Sequence, residues 1–496
     1  MVLDTLLDGA QLFFTPISVL LMIFGAAVGL FIGVLPGLGP LMGIILLTPA
    51  AIYLPPVAGM GLLIAIYVGG SCGGAISAIL LRIPGTPLAA ATLLDGYPMA
   101  QRGEAPKAIG IAITSSAIGG LIGGACLIFL SPLLASFAIK MGPPEYFALT
   151  VLGLISITVV SPESTFKGLT VGIMGMLFST IGMDEFASAY RFTFGFSPML
   201  NGFHIVAMVI GLFAISEIIV QIANGNLSER PKVPAVGISF TSILMTLKRW
   251  ITLIRSSLIG TFFGALPGAG GVIASFTSYA LTKSWAQNSE SFGKGNPSGI
   301  VSTESANNAC CGGSLIPTLA LGLPGDAVTA VLMGALMLVG LFPGPDLFEN
   351  NTDIVGGIFL AYITANVALF FLGILLTPLF AMVLKLRKMH LLPIVALLSV
   401  VGVFSIQSST FDLWVMVAFG VFGYLLRRYD YPLAPIIIGF VLGPICESNF
   451  RRSLVLSGND FDIFFQRPIA GIILLVTFLS LVLSFFPWRK LFKRQT

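Results

Sequence analysis

Charged residues are scarce in this sequence. Asp, Glu, Lys and Arg together make up 9% of the 496 residues, whereas an ordinary soluble protein has about 25%. Residues 9–81 contain no charged side chain at all, and 56% of the whole chain is hydrophobic. Too few charges remain to cover the surface of a soluble globule, while a lipid bilayer requires long apolar stretches. The composition therefore excludes a soluble domain and predicts a polytopic membrane protein.

Other residue types and motifs are also rare or missing. There are two histidines, His204 and His390, and five scattered cysteines without a CxxC pair, which argues against a histidine-based metal centre and a disulfide framework. The sequence lacks the GxxxxGK[ST] phosphate loop of an ATP-driven pump. It also lacks a catalytic grouping of His, Cys and Asp, so we expect neither an enzyme nor a cofactor.

The apolar runs are long and do not alternate with polar residues, which excludes a transmembrane barrel. Because one helix needs about 20 residues to span the hydrocarbon core, the length predicts about 11–13 transmembrane or re-entrant helices. The expected fold is thus an all-α polytopic membrane protein.

An internal repeat gives the clearest sign of organisation. Six residues recur at an offset of 231: Gly29, Gly33, Leu35, Pro36, Gly37 and Gly39 correspond to Gly260, Gly264, Leu266, Pro267, Gly268 and Gly270. Cys72-Gly73-Gly74 recurs as Cys311-Gly312-Gly313 at an offset of 239, and Pro84-Gly85 recurs as Pro324-Gly325 at 240. Blocks that keep their order and nearly their spacing indicate two homologous repeats.

Lys and Arg predict how the repeats lie in the membrane, because they concentrate on the cytoplasmic side. Basic residues occupy the linker between the repeats, Arg427-Arg428 and the C-terminal tail, whereas the N-terminus carries Asp4 and Asp8. We therefore expect inverted repeats. The predicted divisions are a first membrane repeat (1–223), a cytoplasmic linker (224–250), a second membrane repeat (251–450), and a C-terminal helix with a basic cytoplasmic tail (451–496).

The two Leu-Pro-Gly segments predict broken helices at the centre of the molecule. Proline blocks helix continuation and glycine permits positive φ. Broken backbone at membrane depth requires protein or a water-filled cavity around it, and free N–H groups at the start of the next half-helix favour an anion. Alternatively, the neighbouring GxxxG patterns only allow helices to pack closely.

Small and hydroxyl-bearing residues near these breaks extend the predicted substrate site. The same residues would also suit a tight helix crossing, which is the alternative interpretation. The complete candidate set is Pro36, Gly37, Leu38, Gly39, Ser71, Gly73, Gly74, Pro267, Gly268, Gly270, Gly271, Gly312, Gly313 and Ser314.

A second candidate set would bind a coupling ion. Hydroxyl, amide and carboxylate oxygens suit Na⁺, and a carboxyl group at membrane depth could instead carry a proton. The set comprises Thr303, Glu304, Asn307, Asn308 and Asp326. The alternative for residues 302–308 is a solvated cap before a helix. Asp95 and Asp184 are interpreted as interfacial caps.

The chain combines both glycine-proline motifs with two further segments, Thr303-Glu304-Ser305-Ala306-Asn307-Asn308 and Leu321-Gly322-Leu323-Pro324-Gly325. With this combination of motifs, nearly the whole chain resembles the large membrane subunit of the bacterial tripartite tricarboxylate transporters. The resemblance implies an inner-membrane, multi-pass permease. It also implies a small membrane subunit of about four helices and a periplasmic solute-binding protein as partners, a carboxylate such as citrate as substrate, and coupling to Na⁺ or H⁺. An anion channel and an ion-coupled transporter of an unrelated small solute remain as alternatives.

Overall fold

A computed structural model describes residues 2–35, 38–160, 165–184, 186–223, 225, 239–266, 270–383 and 388–485. These residues are almost entirely helical. The two short strands, β1 (Gly182–Met183) and β2 (Tyr190–Arg191), pair antiparallel with Gly182 opposite Arg191.

The described residues of the first half form ten α-helices: α1 (Val2–Phe13), α2 (Pro16–Val34), α3 (Gly39–Ala51), α4 (Pro56–Leu81), α5 (Leu93–Met99), α6 (Ala105–Ala138), α7 (Pro143–Val160), α8 (Thr165–Ser179), α9 (Ile205–Ile210) and α10 (Ser216–Ala223). Short 3₁₀ turns lie at Pro87–Ala90 and Ser197–Met199, and π-helical turns at Ala100–Glu104 and Gly211–Ile215.

In the second half, thirteen α-helices lie within the part of the chain that the structure describes: α11 (Thr241–Leu247), α12 (Trp250–Ala265), α13 (Gly270–Ser284), α14 (Pro297–Leu321), α15 (Ala327–Leu338), α16 (Pro345–Asn350), α17 (Thr352–Leu375), α18 (Thr377–Val383), α19 (Lys388–Gln407), α20 (Thr410–Arg428), α21 (Ala434–Ser457), α22 (Ile463–Gln466) and α23 (Pro468–Phe485). A 3₁₀ turn lies at Ser289–Ser291.

Six helical segments within the described residues are long and apolar enough to cross a membrane: Pro16–Val34, Pro56–Leu81, Leu93–Ala138, Ile205–Ala223, Thr352–Leu375 and Thr410–Arg428. Seven further apolar helices are shorter, at 10–17 residues. This pattern supports a polytopic membrane protein. The number of 11–13 transmembrane or re-entrant helices stays a prediction.

Helices α2 and α3 form a hairpin against α4. Any Cβ on Gly29 or Gly33 of α2 would overlap the backbone of Ile66 or Gly70, so α2 runs parallel to α4 in close contact. The following helix, α3, returns in the opposite direction, since its start at Pro40 contacts Gly70 and its end at Ala51 contacts Gly59 near the start of α4. Glycine is required at these crossings because the backbones touch.

Helices α12 and α13 form an equivalent hairpin against α14. A Cβ on Gly260 or Gly264 would overlap the carbonyl of Ala306 or Cys310, which again gives a parallel crossing. Helix α13 returns antiparallel: the Ser275 and Ser278 hydroxyls donate to the carbonyls of Thr303 and Ser302. Both hairpin tips therefore lie near the middle of the long helix that they pack against.

Two helices are more continuous than the sequence suggested. The sequence predicts a span from Met60 to Leu81 that Gly69–Gly74 interrupts, but α4 continues through this region because its glycines pack against α2 and Pro40. The sequence also places residues 302–308 at the end of a polar stretch (283–308) that precedes a predicted span (309–322), with a solvated cap as the alternative. They lie instead inside α14, fully buried, while Asn296 caps that helix by accepting from Ser298 N–H. The cap interpretation is therefore wrong.

Candidate functional site

The two hairpin tips converge on the middle of α4 and α14. On one side, Pro40 just after the first tip contacts Gly70. On the other side, Gly264 just before the second tip packs so closely on α14 that a Cβ there would overlap the carbonyl of Cys310 and the N–H of Ser314. Four predicted substrate-site residues lie outside the described residues: Pro36, Gly37, Pro267 and Gly268. The hairpins are therefore located here by the described residues on either side of these segments.

The same contacts recur in the two halves. Gly33 meets Gly70, and Gly264 meets Cys310; the segments after α4 and α14 then bring Gly85 and Gly325 onto the carbonyls of Gly33 and Gly264. These contacts equate the two long helices at an offset of 240. They favour pairing Ser71-Cys72-Gly73-Gly74 with Cys311-Gly312-Gly313-Ser314, one residue away from the offset of 239 proposed above.

Helices α4 and α14 touch at the centre through three side chains. Cys311 Sγ lies 3.3 Å from Ser71 Oγ, and Asn307 Nδ2 donates to the Ser71 carbonyl at 3.1 Å. All three side chains are completely buried. This contact joins the two halves of the chain directly between the hairpins.

Most predicted substrate glycines contact neighbouring backbone. Gly73 packs on Leu30 and Gly33, Gly312 on Gly123, and Gly313 on Thr261, while Gly74 lies against Thr86. The close helix crossings proposed as the alternative are thus present at these positions. A role of the same residues in ligand binding stays a prediction. Leu38, Gly39, Gly270 and Gly271 belong to the flanks of the tips, and Ser314 lies beside Gly264.

Glu304 is a fully buried carboxylate in α14. It accepts hydrogen bonds from the hydroxyls of Thr92 and of Ser116, the latter at 2.8 Å, and Asn307 Nδ2 lies 3.5 Å away. No Lys or Arg pairs with it among the described residues. A buried carboxylate with hydroxyl and amide donors but no cationic partner is costly when charged, which fits a site that binds a cation or a proton.

The other predicted ion-site residues fall on two sides of Glu304. Thr303 Oγ1 lies 2.9 Å from Thr92 Oγ1. Asn308 points towards α6 and α17, where its Nδ2 donates to the carbonyl of Ser116 and to Asn366 Oδ1, both at 2.9 Å. The predicted ion set is therefore not one coordination shell.

Asp326 stands apart from that group. It caps α15 by accepting from Thr329 N–H at 2.8 Å, and its second oxygen accepts from Tyr67 O–H. Both acceptor oxygens of Asp326 are thus already engaged by protein groups. Sequence reasoning had no signal for Tyr67, because a lone tyrosine in an apolar helix resembles a core residue.

Asp95 was interpreted as an interfacial cap, and the structure corrects this. Its side chain is 1% exposed. One oxygen accepts from the backbone N–H groups of Gly293, Gly295 and Asn296, and the other accepts from Tyr279 O–H. Asp95 therefore holds the loop that leads into α14, while Thr92 one turn earlier contacts Glu304. Their three-residue spacing places both on one face of α5 and is the signal that could have identified them.

Asp184 lies in a charge cluster at the end of α8 and α21. It pairs with Arg451 at 2.9 Å, and Arg191 of β2 pairs with Glu447 of α21 at 2.8 Å. The Phe186 N–H and then Arg451 hold the pKa of Asp184 below its usual value. The cluster fixes the β1–β2 turn on α21, a role beyond the predicted interfacial cap.

A cavity of about 600 Å³ lies between α9, α15, α20 and α21. Its polar lining consists of Ser197, Asn201, His204, Gln407, Ser409 and Asp412. A neighbouring cavity of about 440 Å³ shares Met337 and Phe342 with it. Helix α15 links this region to the centre, because Asp326 caps its N-terminus and residues of its last turn line both cavities.

The described residues thus form an almost entirely helical, apolar chain with two matching hairpins and a buried polar centre. No metal-binding cluster of His, Cys, Asp and Glu occurs among these residues. The model of the tripartite tricarboxylate transporter TctA family matches residues 19–438. The chain belongs to this family. The TctA family is a transporter family and not an enzyme class, so the chain is a membrane component of a tripartite transport system.

Relatives of the chain are found in Agrobacterium vitis. An uncharacterised 52.8 kDa protein from the TAR-I ttuC' 3' region is 35% identical over 484 residues, which cover 97% of this chain and 95% of the relative. An uncharacterised protein from the TAR-II ttuC' 3' region is 36% identical over 228 residues, covering 46% of this chain and 94% of the relative. No solved structure matches the chain.

Proposed function

We propose that this TctA-family chain is the permease subunit that imports a small di- or tricarboxylate, such as citrate, by secondary active transport coupled to Na⁺ or H⁺. The observation that carries the proposal is the convergence of the two hairpin tips on the touching middles of α4 and α14. Broken helices that meet at the centre of homologous, inverted repeats are a common design of secondary transporters.

The substrate carboxylates would bind at the two tips. Free N–H groups at the starts of α3 and α13, with the positive ends of the helix dipoles, would stabilise an anion without a charged side chain. The hydroxyl of Ser71 and that of Ser314, beside the second tip, would add donors.

Cation coupling would use the Glu304 region of α14. Moving an anion against an inside-negative potential costs about 2.3 kcal/mol per charge per 100 mV. At least as many cations as substrate charges must therefore enter for the potential not to oppose import. Buried Glu304, without a cationic partner in the described part of the chain, is the group best suited to respond to that cation.

The solute would arrive through the cavity beside His204 and Asp412. The ion pair between Glu217 and Arg427 joins the first turn of α10 to the last turn of α20, at the opposite end of α20 from Asp412. If Arg427-Arg428 faces the cytoplasm, as the positive-inside rule indicates, the cavity opens towards the periplasm of a bacterial inner membrane. A periplasmic solute-binding protein would deliver the substrate there, and a small membrane subunit of about four helices would complete the permease.

Uptake into proteoliposomes tests this function. The chain would be co-reconstituted with the small membrane subunit, and a loaded solute-binding protein would be added with labelled di- or tricarboxylate. We expect uptake that needs the binding protein and falls when both the Na⁺ and the proton gradient are collapsed. Accumulation that ignores both gradients would contradict the proposal.

The alternatives give different results in the same system. An anion channel would show steady conductance in planar bilayers and would carry the solute only down its gradient. A transporter of an unrelated solute would leave labelled carboxylates outside the vesicles while retaining gradient-dependent uptake of another ligand.

A further inference from the structure

Two pairs of residues occupy corresponding places across the centre of the molecule. At the offset of 240 that the hairpin contacts define, Tyr67 corresponds to Asn307, and Thr86 corresponds to Asp326. The first pair consists of Tyr67 and Asp326, in which the Tyr67 hydroxyl donates to the Asp326 carboxylate. Replacing each residue by its counterpart gives the second pair, Asn307 and Thr86.

The matching pair has no direct bond. Asn307 Oδ1 and Thr86 Oγ1 are both buried and have no hydrogen-bond partner among the described residues. Asparagine is shorter than tyrosine by most of a ring, and threonine is one atom shorter than aspartate. The replacement of Tyr–Asp by Asn–Thr therefore shortens both side chains, and no hydrogen bond joins the second pair as one joins the first.

Both unpaired oxygens lie against one turn of α4. The Asn307 amide donates to the carbonyl of Ser71, and a Cβ on Gly74 would lie 2.5 Å from Thr86 Oγ1. Because buried polar atoms are nearly always paired, two unpaired oxygens at one turn require an occupant.

The local charge selects the class of occupant. Asn307 uses its donor group on Ser71 and towards Glu304, which leaves Oδ1 as the unpaired acceptor. A carboxylate would meet this acceptor and the nearby Glu304, so an anion is disfavoured. A cation would be attracted by both, and neutral oxygen ligands with one carboxylate nearby suit an alkali ion.

We infer that Thr86 Oγ1 and Asn307 Oδ1 are ligands of a dehydrated alkali cation of the size of Na⁺, with Glu304 as the nearby counter-charge. The inference deepens the proposed function, on which its role in coupling rests, and adds Thr86 to the site. Asp326 is excluded from this site because Tyr67 and Thr329 already use its oxygens.

Thermal unfolding of the full chain in detergent tests cation binding without any carboxylate. NaCl would replace choline chloride at constant ionic strength. We expect a saturable rise in the unfolding temperature with Na⁺ for the wild type, since a ligand that binds only the folded state stabilises it. In Thr86→Val and in Asn307→Ala, the apparent Na⁺ affinity should fall about tenfold or more, whereas Thr86→Ser should retain it.

Ser131→Ala is the matched control, because Ser131 also carries a buried, unpaired hydroxyl but lies far along α6. Its Na⁺ response should equal that of the wild type. Coinciding Na⁺ and choline curves for the wild type would overturn the inference, and so would an undiminished response in Thr86→Val or Asn307→Ala. A normal Na⁺ response with no carboxylate uptake would refute the proposed function and keep the cation site.

Discussion

Ser71 Oγ and Cys311 Sγ lie 3.3 Å apart although 240 positions separate them in the chain. At the offset that the hairpin contacts define, these two residues correspond to each other. The contact therefore brings equivalent positions of the two long helices together between the hairpins.

A cross-link tests this contact. Ser71→Cys should form a disulfide with Cys311 under a membrane-permeant oxidant, because the replaced atoms are already within contact distance. With a protease site placed in the linker, the two halves should migrate together on a non-reducing gel after cleavage. Ser77→Cys, buried on the same helix about 9 Å farther along, should give separate halves. Separate halves for Ser71→Cys would contradict the arrangement.

Gly33→Ala should damage the first hairpin. The new methyl group would overlap the carbonyl oxygen of Gly70, which is backbone and has little freedom to move. We expect a loss of about 1–3 kcal/mol of stability, which is typical of overpacking, together with greatly reduced uptake.

Gly471→Ala is the control for this substitution. Gly471 also lies inside an apolar helix, but a Cβ there would have its nearest neighbour at 3.7 Å. Thermal unfolding and uptake should both stay at the wild-type level. Equal behaviour of Gly33→Ala and Gly471→Ala would show that the α2–α4 crossing is looser than described.

Asp95→Ala should loosen the loop before α14. Three backbone N–H groups would lose their acceptor, and each unsatisfied buried donor costs about 1–3 kcal/mol. Asp95→Asn keeps an oxygen for these donors, so its loss of stability should be clearly smaller. Thermal unfolding of both variants and protease sensitivity of the loop measure the difference. Equal destabilisation by Ala and Asn would instead assign the effect to the lost charge.

Composition and spacing were enough to predict the helical membrane fold and the paired breaks, because a bilayer imposes apolar length and proline imposes helix ends. They misplaced residues 302–308, since a run of hydroxyls, amides and one carboxylate normally indicates a solvated segment. In the structure most polar groups of these side chains form hydrogen bonds with one another or with neighbouring helices, for example Glu304 with Ser116. Long-range pairing of this kind has no local signal in the sequence.

The buried polar centre contains some of the residues that the sequence singled out, and their role in binding stays a prediction. Glu304 and Asn307 were identified because oxygen-rich side chains next to an apolar run are unusual. Three other residues of this region were missed because each lies more than 200 positions from the residue to which it is related. Thr92 bonds Glu304, Tyr67 bonds Asp326, and Thr86 is the counterpart of Asp326 in the first repeat. Only the repeat offset relates Tyr67 to Asn307 and Thr86 to Asp326, and an error of one position hides the relation.

The Asp184 cluster should make stability depend on acidity. The pKa of this carboxyl is lowered by the Phe186 N–H and by Arg451, so its stabilisation is complete above the unfolded value of about 3.9. It is lost as the pH falls through the lowered native pKa. Thermal unfolding between pH 6 and acid conditions should show a weaker pH dependence for Asp184→Asn than for the wild type. The exposed Asp460→Asn serves as the control, and parallel curves for Asp184→Asn and wild type would contradict the assignment.

Glu304→Gln should separate the coupling role of the carboxylate from its structural role. Glutamine keeps the shape and one oxygen for the hydroxyls of Thr92 and Ser116, but it removes the negative charge that attracts a cation. Uptake should therefore lose its dependence on the Na⁺ or proton gradient, while the variant still folds. Glu290→Gln, on the exposed Ser289–Ser291 turn, should leave the ion dependence unchanged. An unaltered ion profile in Glu304→Gln would limit Glu304 to holding α5 and α6 against α14.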